Sequence, residues 1–402
     1  MQFVVRRSFL SHGWLLPTLL PITHAAGRAV FLILAGIYVL WGLAALYRTP
    51  VRLNRVLYAA IILLLLLLCT RLPGAWYAQD SWRAFDKWLS FTYLTMVFPI
   101  TLIVLCHGQE QDQQKRLQRL TRMLGLAGFI TILALYIRLP FDFSAPDFAA
   151  EFYLREDNLP WLLPFMLAWA ASMEQRYRCS LWLLILVTVL AYILMSDGRS
   201  ALLGVTVCLA LYALIGLGWK LSWASLCAGG LLTLGLIAQG GRFVRIAFEQ
   251  GDLNSVLMAA TSFRSLLWQR AIAYPPDNIW WGIGMGNMRY ETEIVTVGEL
   301  HLGHLHNFLL DAWYETGILG LATLLLFIAF PLLRLARCWV HLSIAEHQLA
   351  GIYLAAVAAI LAAAMFSFSY NSKQFAMYLP LLLAVLLFLA ESAVSDVKSS
   401  HS

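Results

Sequence analysis

GGRFVRIAFEQGDLNSVLMAATSFRSLLWQRAIAYPPDNIWWGIGMGNMRYETEIVTVGELHLGHLHN, residues 240–307, is a polar passage set between long apolar runs. It holds Arg242, Arg245, Arg264, Arg270 and Arg289, six acids, and the trio His301, His304 and His306, in a chain that is 61% hydrophobic and 12% charged. The flanking runs, each of 15–23 residues, together with a mean hydropathy of +0.73, read as membrane-crossing helices. Within hydrocarbon only a helix satisfies every backbone group inside one segment, and these Leu/Ala runs lack the alternation of a β-barrel strand. The fold class is therefore an all-α polytopic membrane protein, and the polar passage is its large loop.

Working outward, apolar stretches fall near 8–22, 28–47, 55–71, 88–107, 120–138, 159–175, 179–195, 200–217, 219–238, 314–335, 348–370 and 376–392, so about 12 spans are expected. An N-terminus in the cytoplasm puts Arg6 and Arg7, Arg48, Arg52 and Arg55, Lys115, Arg116, Arg119 and Arg122, Arg176 and Arg178, Lys220, and Arg334 and Arg337 on the cytoplasmic side. The opposite loops are poor in basic residues when short, and PFDFSAPDFAAEFYLREDNLP, residues 140–160, is acidic, which satisfies the positive-inside rule. The 240–307 loop then faces outward, toward the periplasm of a bacterial inner membrane. The chain divides into an N-terminal bundle at 1–239, the outer loop at 240–307, and three C-terminal spans with a cytoplasmic tail at 308–402.

A net charge of +6 suits anionic head groups or phosphate ligands. Nucleic acid is a poor fit, because no basic run is interleaved with aromatics on a soluble face. The six cysteines all fall in or beside apolar runs, so neither a disulfide framework nor a CxxC metal pair is implied. MQFVVRRSFL at the start resembles a signal peptide, but no clean cleavage site follows and Pro17 and Pro21 interrupt the run, so it reads as a retained first span. No internal repeat is visible, which weakens a transporter built from duplicated halves.

Inside the loop, RFVRIAFEQ and TSFRSLLWQRAIAY both fit amphipathic helices, the second capped by Thr261 or Ser262 and ended by Pro275 and Pro276. Arg264 and Trp268 share a face of it, while Arg270 points elsewhere. Three features can carry chemistry. SDGRS puts Arg199 at the start of a span, where it holds an anion or anchors to head groups. The loop arginines can converge on a diphosphate, each charge-assisted bond contributing on the order of 1.5–3 kcal/mol, or form a solvated basic face; Arg264 beside Trp268 is the stronger phosphate candidate, Arg242 and Arg245 the more ambiguous. HLGHLHNF offers His306, and with it His304, as a base that accepts a proton from a sugar hydroxyl, with Asn307 holding substrate or fixing the neighbouring ring. Three histidines also suggest a metal cluster, though an incomplete one, or an interfacial polar turn. WGIGMGNM follows no strand, so its glycines do not read as a nucleotide loop, and Glu291 and Glu293 are set aside in favour of a metal-free mechanism.

Taken in order, Ser196-Asp197-Gly198-Arg199-Ser200, Arg264 with Trp268, Pro276, Gly282 to Asn287, His306-Asn307 with Leu310, and Tyr314-Glu315-Thr316-Gly317 resemble the O-antigen ligase and polymerase superfamily. The first 190 residues match it only in hydropathy. PPDNIWWGIG, residues 275–284, departs from the shorter Pro-apolar-apolar-Gly of that family. The resemblance implies a GT-C-type glycosyltransferase that acts at the periplasmic face on an undecaprenyl-diphosphate-linked glycan, and the loop arginines point to one that works without metal or cofactor. It implies catalytic roles for Arg199, Arg264 and His306, and less directly for His304; substrate contacts are expected, from the residues themselves, at Arg242, Arg245, Arg270, Trp268, His304 and Asn307. A ligase using a lipid A-core acceptor is the first expectation, because one outer loop dominates. A polymerase and a protein glycosylase are the alternatives, and a transporter of lipid-linked solutes is the rival from another class.

Overall fold

A computed structural model describes residues 15–26, 28–48, 54–106, 110–138, 159–195, 199–216, 230, 264–297 and 300–400. The helices are α1 (Leu15–Ala26), α2 (Arg28–Arg48), α3 (Arg55–Cys69), α4 (Gly74–Tyr77), α5 (Ser81–Thr95), α6 (Val97–Cys106), α7 (Glu110–Arg138), α8 (Leu159–Ala171), α9 (Gln175–Met195) and α10 (Arg199–Gly216). After them come α11 (Arg264–Ala273), α12 (Thr292–Val295), α13 (Phe308–Cys338), α14 (Ile344–Ala364) and α15 (Lys373–Ser400). One antiparallel pair, β1 (Thr296–Val297) with β2 (Leu300–His301), lies in the large loop.

Short polar side chains start several of these helices by accepting the first amide hydrogens, which otherwise have no partner. Asn54 takes the Leu57 N–H at 2.9 Å and Asp80 the Arg83 N–H at 2.9 Å. Ser343 and Glu346 form a reciprocal capping box on α14. Once started, the apolar runs carry the helices across. Seven described helices are long and apolar enough to cross a membrane, and 30–44, 159–171 and 200–215 are shorter apolar helices. The expected span at 219–238 lies outside the described residues.

Two expected boundaries differ. The span expected near 88–107 runs from Ser81 to Cys106, with one turn residue, Met96, between α5 and α6, where Pro99 cannot donate to the carbonyl of Thr95. Lys115 to Arg122 belong to α7 rather than to a loop, so these basic residues ride on the first turns of a helix of 29 residues.

Burial organises the bundle around α15, where every residue from Gln374 to Ala390 is buried. It packs against α6, α13 and α14, while α10 lies along α14 and α7 along α8. Peripheral helices keep one apolar face outward, as Tyr58, Ile62 and Leu65 do on α3. In a water-soluble protein that surface would be costly, but against lipid it is the expected face.

The helix that leads out of the loop is interrupted at Gly317, whose φ of 67° leaves the helical region. Backbone from residues 279–284 fills the break. Ile283 and Gly284 donate to the carbonyls of Tyr314 and Glu315 at 3.1 and 2.9 Å, and Ile318 and Leu319 donate to those of Ile279 and Trp280 at 2.9 and 3.4 Å. A side chain at Gly317 would collide with the Trp280 carbonyl, so only glycine fits. The extended PPDNIWWGIG segment, the departure from the family pattern, is the strand of backbone that makes this insertion.

Candidate active site

The described part of the large loop, with the start of α13, folds onto its own small core of Leu267, Ala271, Met288, Ile294, Val295, Leu305 and Tyr314, separate from that of the bundle. Apolar positions of α11 supply one side. Polar side chains then tie its parts together. Trp268 donates its indole N–H to the Leu305 carbonyl at 2.9 Å, and its ring lies 5.6 Å from that of Phe366. Arg270 donates to the carbonyls of Thr296 and Glu293 at 2.6 and 3.1 Å, so the guanidinium expected to assist on a diphosphate instead braces the turn into β1. Tyr314 donates to the Tyr274 carbonyl at 2.7 Å, locking the end of α11 to α13.

This scaffold presents the histidines. His301 lies in β2, exposed, with Nδ1 3.2 Å from the Thr296 hydroxyl. His304 and His306 lie together, ring centroids 3.9 Å apart. His306 has a φ of 54°, a left-handed conformation that residues other than glycine rarely adopt and that clusters at functional sites. Its amide donates to His304 Nδ1 at 3.1 Å, and its own Nδ1 lies 2.9 Å from the Ser367 carbonyl. A carbonyl only accepts, so the proton of the neutral ring sits on Nδ1 and the lone pair on Nε2. That is the tautomer a general base needs.

Asn307, expected near the substrate, is the N-cap of α13, accepting the amides of Leu309 and Leu310 at 3.0 and 3.1 Å. Arg264 is the first residue of α11, one turn before Trp268 and half-buried. Arg199 opens α10, but its side chain lies outside the described residues, as do Arg242 and Arg245 entirely. The structure thus brings Trp268, His304, His306 and Asn307 to one corner. Among the described residues no three His, Cys, Asp or Glu side chains converge as metal ligands do.

Several residues at this corner were not singled out from sequence. Ser367, which holds His306, belongs to the turn between α14 and α15. That turn is fixed by Glu315, whose Oε2 accepts the Tyr370 hydroxyl at 3.0 Å and the Asn371 amide at 2.8 Å. Burial and the Glu315 carboxylate push the Tyr370 hydroxyl well above its ordinary value, which keeps it a donor. Arg71 is buried, its guanidinium carbon 5.2 Å from the Tyr370 ring centre and 4.9 Å from that of Phe91. A usable signal existed in FLLDAWYETG, where Asp311 and Glu315 are four apart in an apolar helix and therefore share a face.

At the C-terminal end of α11 a cavity of about 530 Å³ is lined by Tyr274, Asp277, Tyr290, Glu291, Glu293 and Tyr314 among others. Burial, with Asp277 and Glu293 nearby, pushes the Glu291 carboxyl above its usual range. Across the glycine turn, Asp80 behaves oppositely: hydrogen bonds from the Arg83 amide and the Tyr290 hydroxyl hold it below the usual range.

Residues 184–325 match the model of a family described as O-antigen ligase. The match covers about a third of the chain and supports membership of the O-antigen ligase superfamily. No curated protein matches it. The matched stretch runs from α9 into α13 and contains Arg199, Arg264, Trp268, His304, His306 and Asp311. Ser367, Tyr370 and Arg71 lie outside it. Members of the family are glycosyltransferase-like, and their substrates are lipid-linked glycans.

Proposed function

We propose that the protein is a ligase that moves a glycan from undecaprenyl diphosphate to a sugar hydroxyl of lipid A-core, at the periplasmic face of the bacterial inner membrane. The observation that carries this reading is the His306 ring, which lies within the matched stretch and is held through Nδ1 by the Ser367 carbonyl at 2.9 Å, with its lone pair on Nε2. That Nε2 accepts the proton of the acceptor hydroxyl. The hydroxyl oxygen bonds to the anomeric carbon of the donor, the bond from that carbon to the diphosphate breaks, and the electron pair leaves with undecaprenyl diphosphate. Arg264 and Arg199, with Arg242 and Arg245, neutralise the growing charge on the diphosphate. The fold that would present them is of the GT-C type, and the 240–307 loop is its catalytic part. No metal step is required.

Purified protein in liposomes, given a lipid-linked glycan and lipid A-core, tests this directly. Conjugate should form without ATP or an ion gradient and should survive a chelator. Lengthening of the lipid-linked glycan in place of lipid A-core modification would make the protein a polymerase. Loss of conjugate with movement of the lipid-linked glycan across the bilayer would make it a transporter.

A further inference from the structure

Two stretches far apart in the sequence lie backbone against backbone beside the break in α13. A side chain at Gly74 would meet the Trp281 carbonyl and the Gly284 backbone, and one at Gly284 would meet Ala78 and the Gly74 carbonyl. The 279–284 backbone is in turn bonded across Gly317. Residues 74–78 and 279–284 are thus held close to the level of Gly317.

What these stretches turn outward is apolar and aromatic. Trp76 is 74% exposed, Tyr77 60%, Trp82 80% and Trp280 57%, and Ile279 and Ile318, joined by a backbone hydrogen bond, are exposed as well. So many uncovered rings mark a contact surface rather than a solvated loop. On α5, positions 82, 85, 86 and 89 share one side, which places the exposed Asp86 among Trp82, Phe85 and Leu89. Arg83 and Lys87 face the glycine turn instead, with Arg83 Nε donating to the Gly286 carbonyl at 2.8 Å. A carboxylate among rings fits a surrounding that is apolar on one side and wet on the other.

The helices say where that surrounding lies. Trp76 and Tyr77 close the candidate span Arg55–Tyr77, and Trp82 stands at the start of the next, Ser81–Cys106. The outward face of α3 that leads up to them, with Tyr58, Ile62, Leu65 and Leu66, is the apolar face suited to lipid. Residues at the ends of apolar spans stand where hydrocarbon gives way to head groups. Trp and Tyr are favoured there, because each joins an apolar ring to an N–H or O–H that can reach water. Trp280 belongs to the large loop, yet its backbone is tied to the same level.

We propose that Ile279 and Trp280, together with Trp76, Tyr77 and Trp82, form an interfacial anchor that docks the large loop onto the head-group layer of the phospholipid bilayer. This turn then lies in the membrane surface rather than above it, with the exposed Asp277 on the wet side. The PPDNIWWGIG segment has two tasks in consequence: it fills the break in α13 and it holds the loop to lipid.

The test uses the full chain in nanodiscs of phosphatidylethanolamine and phosphatidylglycerol, with the six native cysteines replaced and one cysteine introduced at a time. Trp280→Cys, Ile279→Cys and Trp82→Cys report on the anchor, and Leu65→Cys on the outward face of α3 reports on hydrocarbon. All four side chains are exposed, so none of these changes opens a hole in the core. Each cysteine carries an NBD fluorophore, quenched in parallel by nitroxide lipids labelled at the head group or at mid-chain and by iodide in the water. Labels at 279, 280 and 82 should emit to the blue of the free dye and be quenched most by the head-group nitroxide. Their depth should be about 15 Å from the bilayer centre, half the thickness of the hydrocarbon core. The label at 65 should be quenched most by the mid-chain nitroxide.

Quenching of the 279 and 280 labels chiefly by iodide would leave the turn in water and overturn the proposal, whatever the label at 82 reports. Shielding of those two labels from nitroxide and iodide alike would mean that a second copy of the chain covers the surface, which also overturns it. Depth is read without any transfer reaction, so the outcome is independent of the ligase reading.

Discussion

His306 combines a strained backbone, a defined tautomer and a neighbouring ring, and each has a separate physical source. The strain is held by the His304 contact, the tautomer by the Ser367 carbonyl, and the stacking by the tight turn that begins at Gly303, whose φ is 71°. Removing the imidazole takes away the proposed base without touching the α13 cap, which belongs to Asn307. His306→Ala should therefore lower transfer by roughly 10²–10⁴-fold at unchanged expression and melting midpoint, measured in the liposome assay. Survival of full transfer would remove His306 from the chemistry. From sequence alone, His306, His304 and Trp268 were legible because histidines and an indole in a polar loop stand out against an apolar chain. The Ser367 carbonyl was not, since a backbone acceptor 61 residues away carries no residue signature.

The glycine-interrupted helix is the element on which the histidine arm depends. Gly317→Ala would place a methyl against the Trp280 carbonyl and force a positive φ on alanine, which costs roughly 1–3 kcal/mol before any clash is counted. A lower melting midpoint in detergent together with reduced transfer is expected, and a wild-type midpoint would mean that the inserted backbone is dispensable. A second test lies where the glycine turn meets the α5 cap. Because Asp80 is held below its ordinary value by the Arg83 amide and the Tyr290 hydroxyl, its stabilising effect is complete above the unfolded pKa of about 3.9 and is lost as pH falls through the lower folded value. The acid-induced drop in melting midpoint should be smaller in Asp80→Asn than in the wild type. Helix positions were readable from hydropathy because lipid demands it, whereas the break at Met96 and the insertion at Gly317 arise from a single proline and from backbone hydrogen bonds between distant segments.

At the scale of the whole molecule, the charge asymmetry of the loops and the placement of the histidine corner make one joint statement about sidedness. With the six native cysteines replaced, Asp277→Cys in the outer loop should react with a membrane-impermeant maleimide in cells whose outer membrane alone is permeabilised. Lys115→Cys, on the first turns of α7, should react only after the inner membrane is opened. The reverse pattern would invert the topology and move the proposed chemistry to the wrong compartment. The bundle supplies the rigid floor for that corner through α15, while the outer loop supplies its walls.

Four backbone hydrogen bonds cross the gap at Gly317, and they belong to the loop as much as to the helix. The first two turns of α13 are therefore anchored to the backbone of Ile279 to Gly284 as well as to the rest of their own helix.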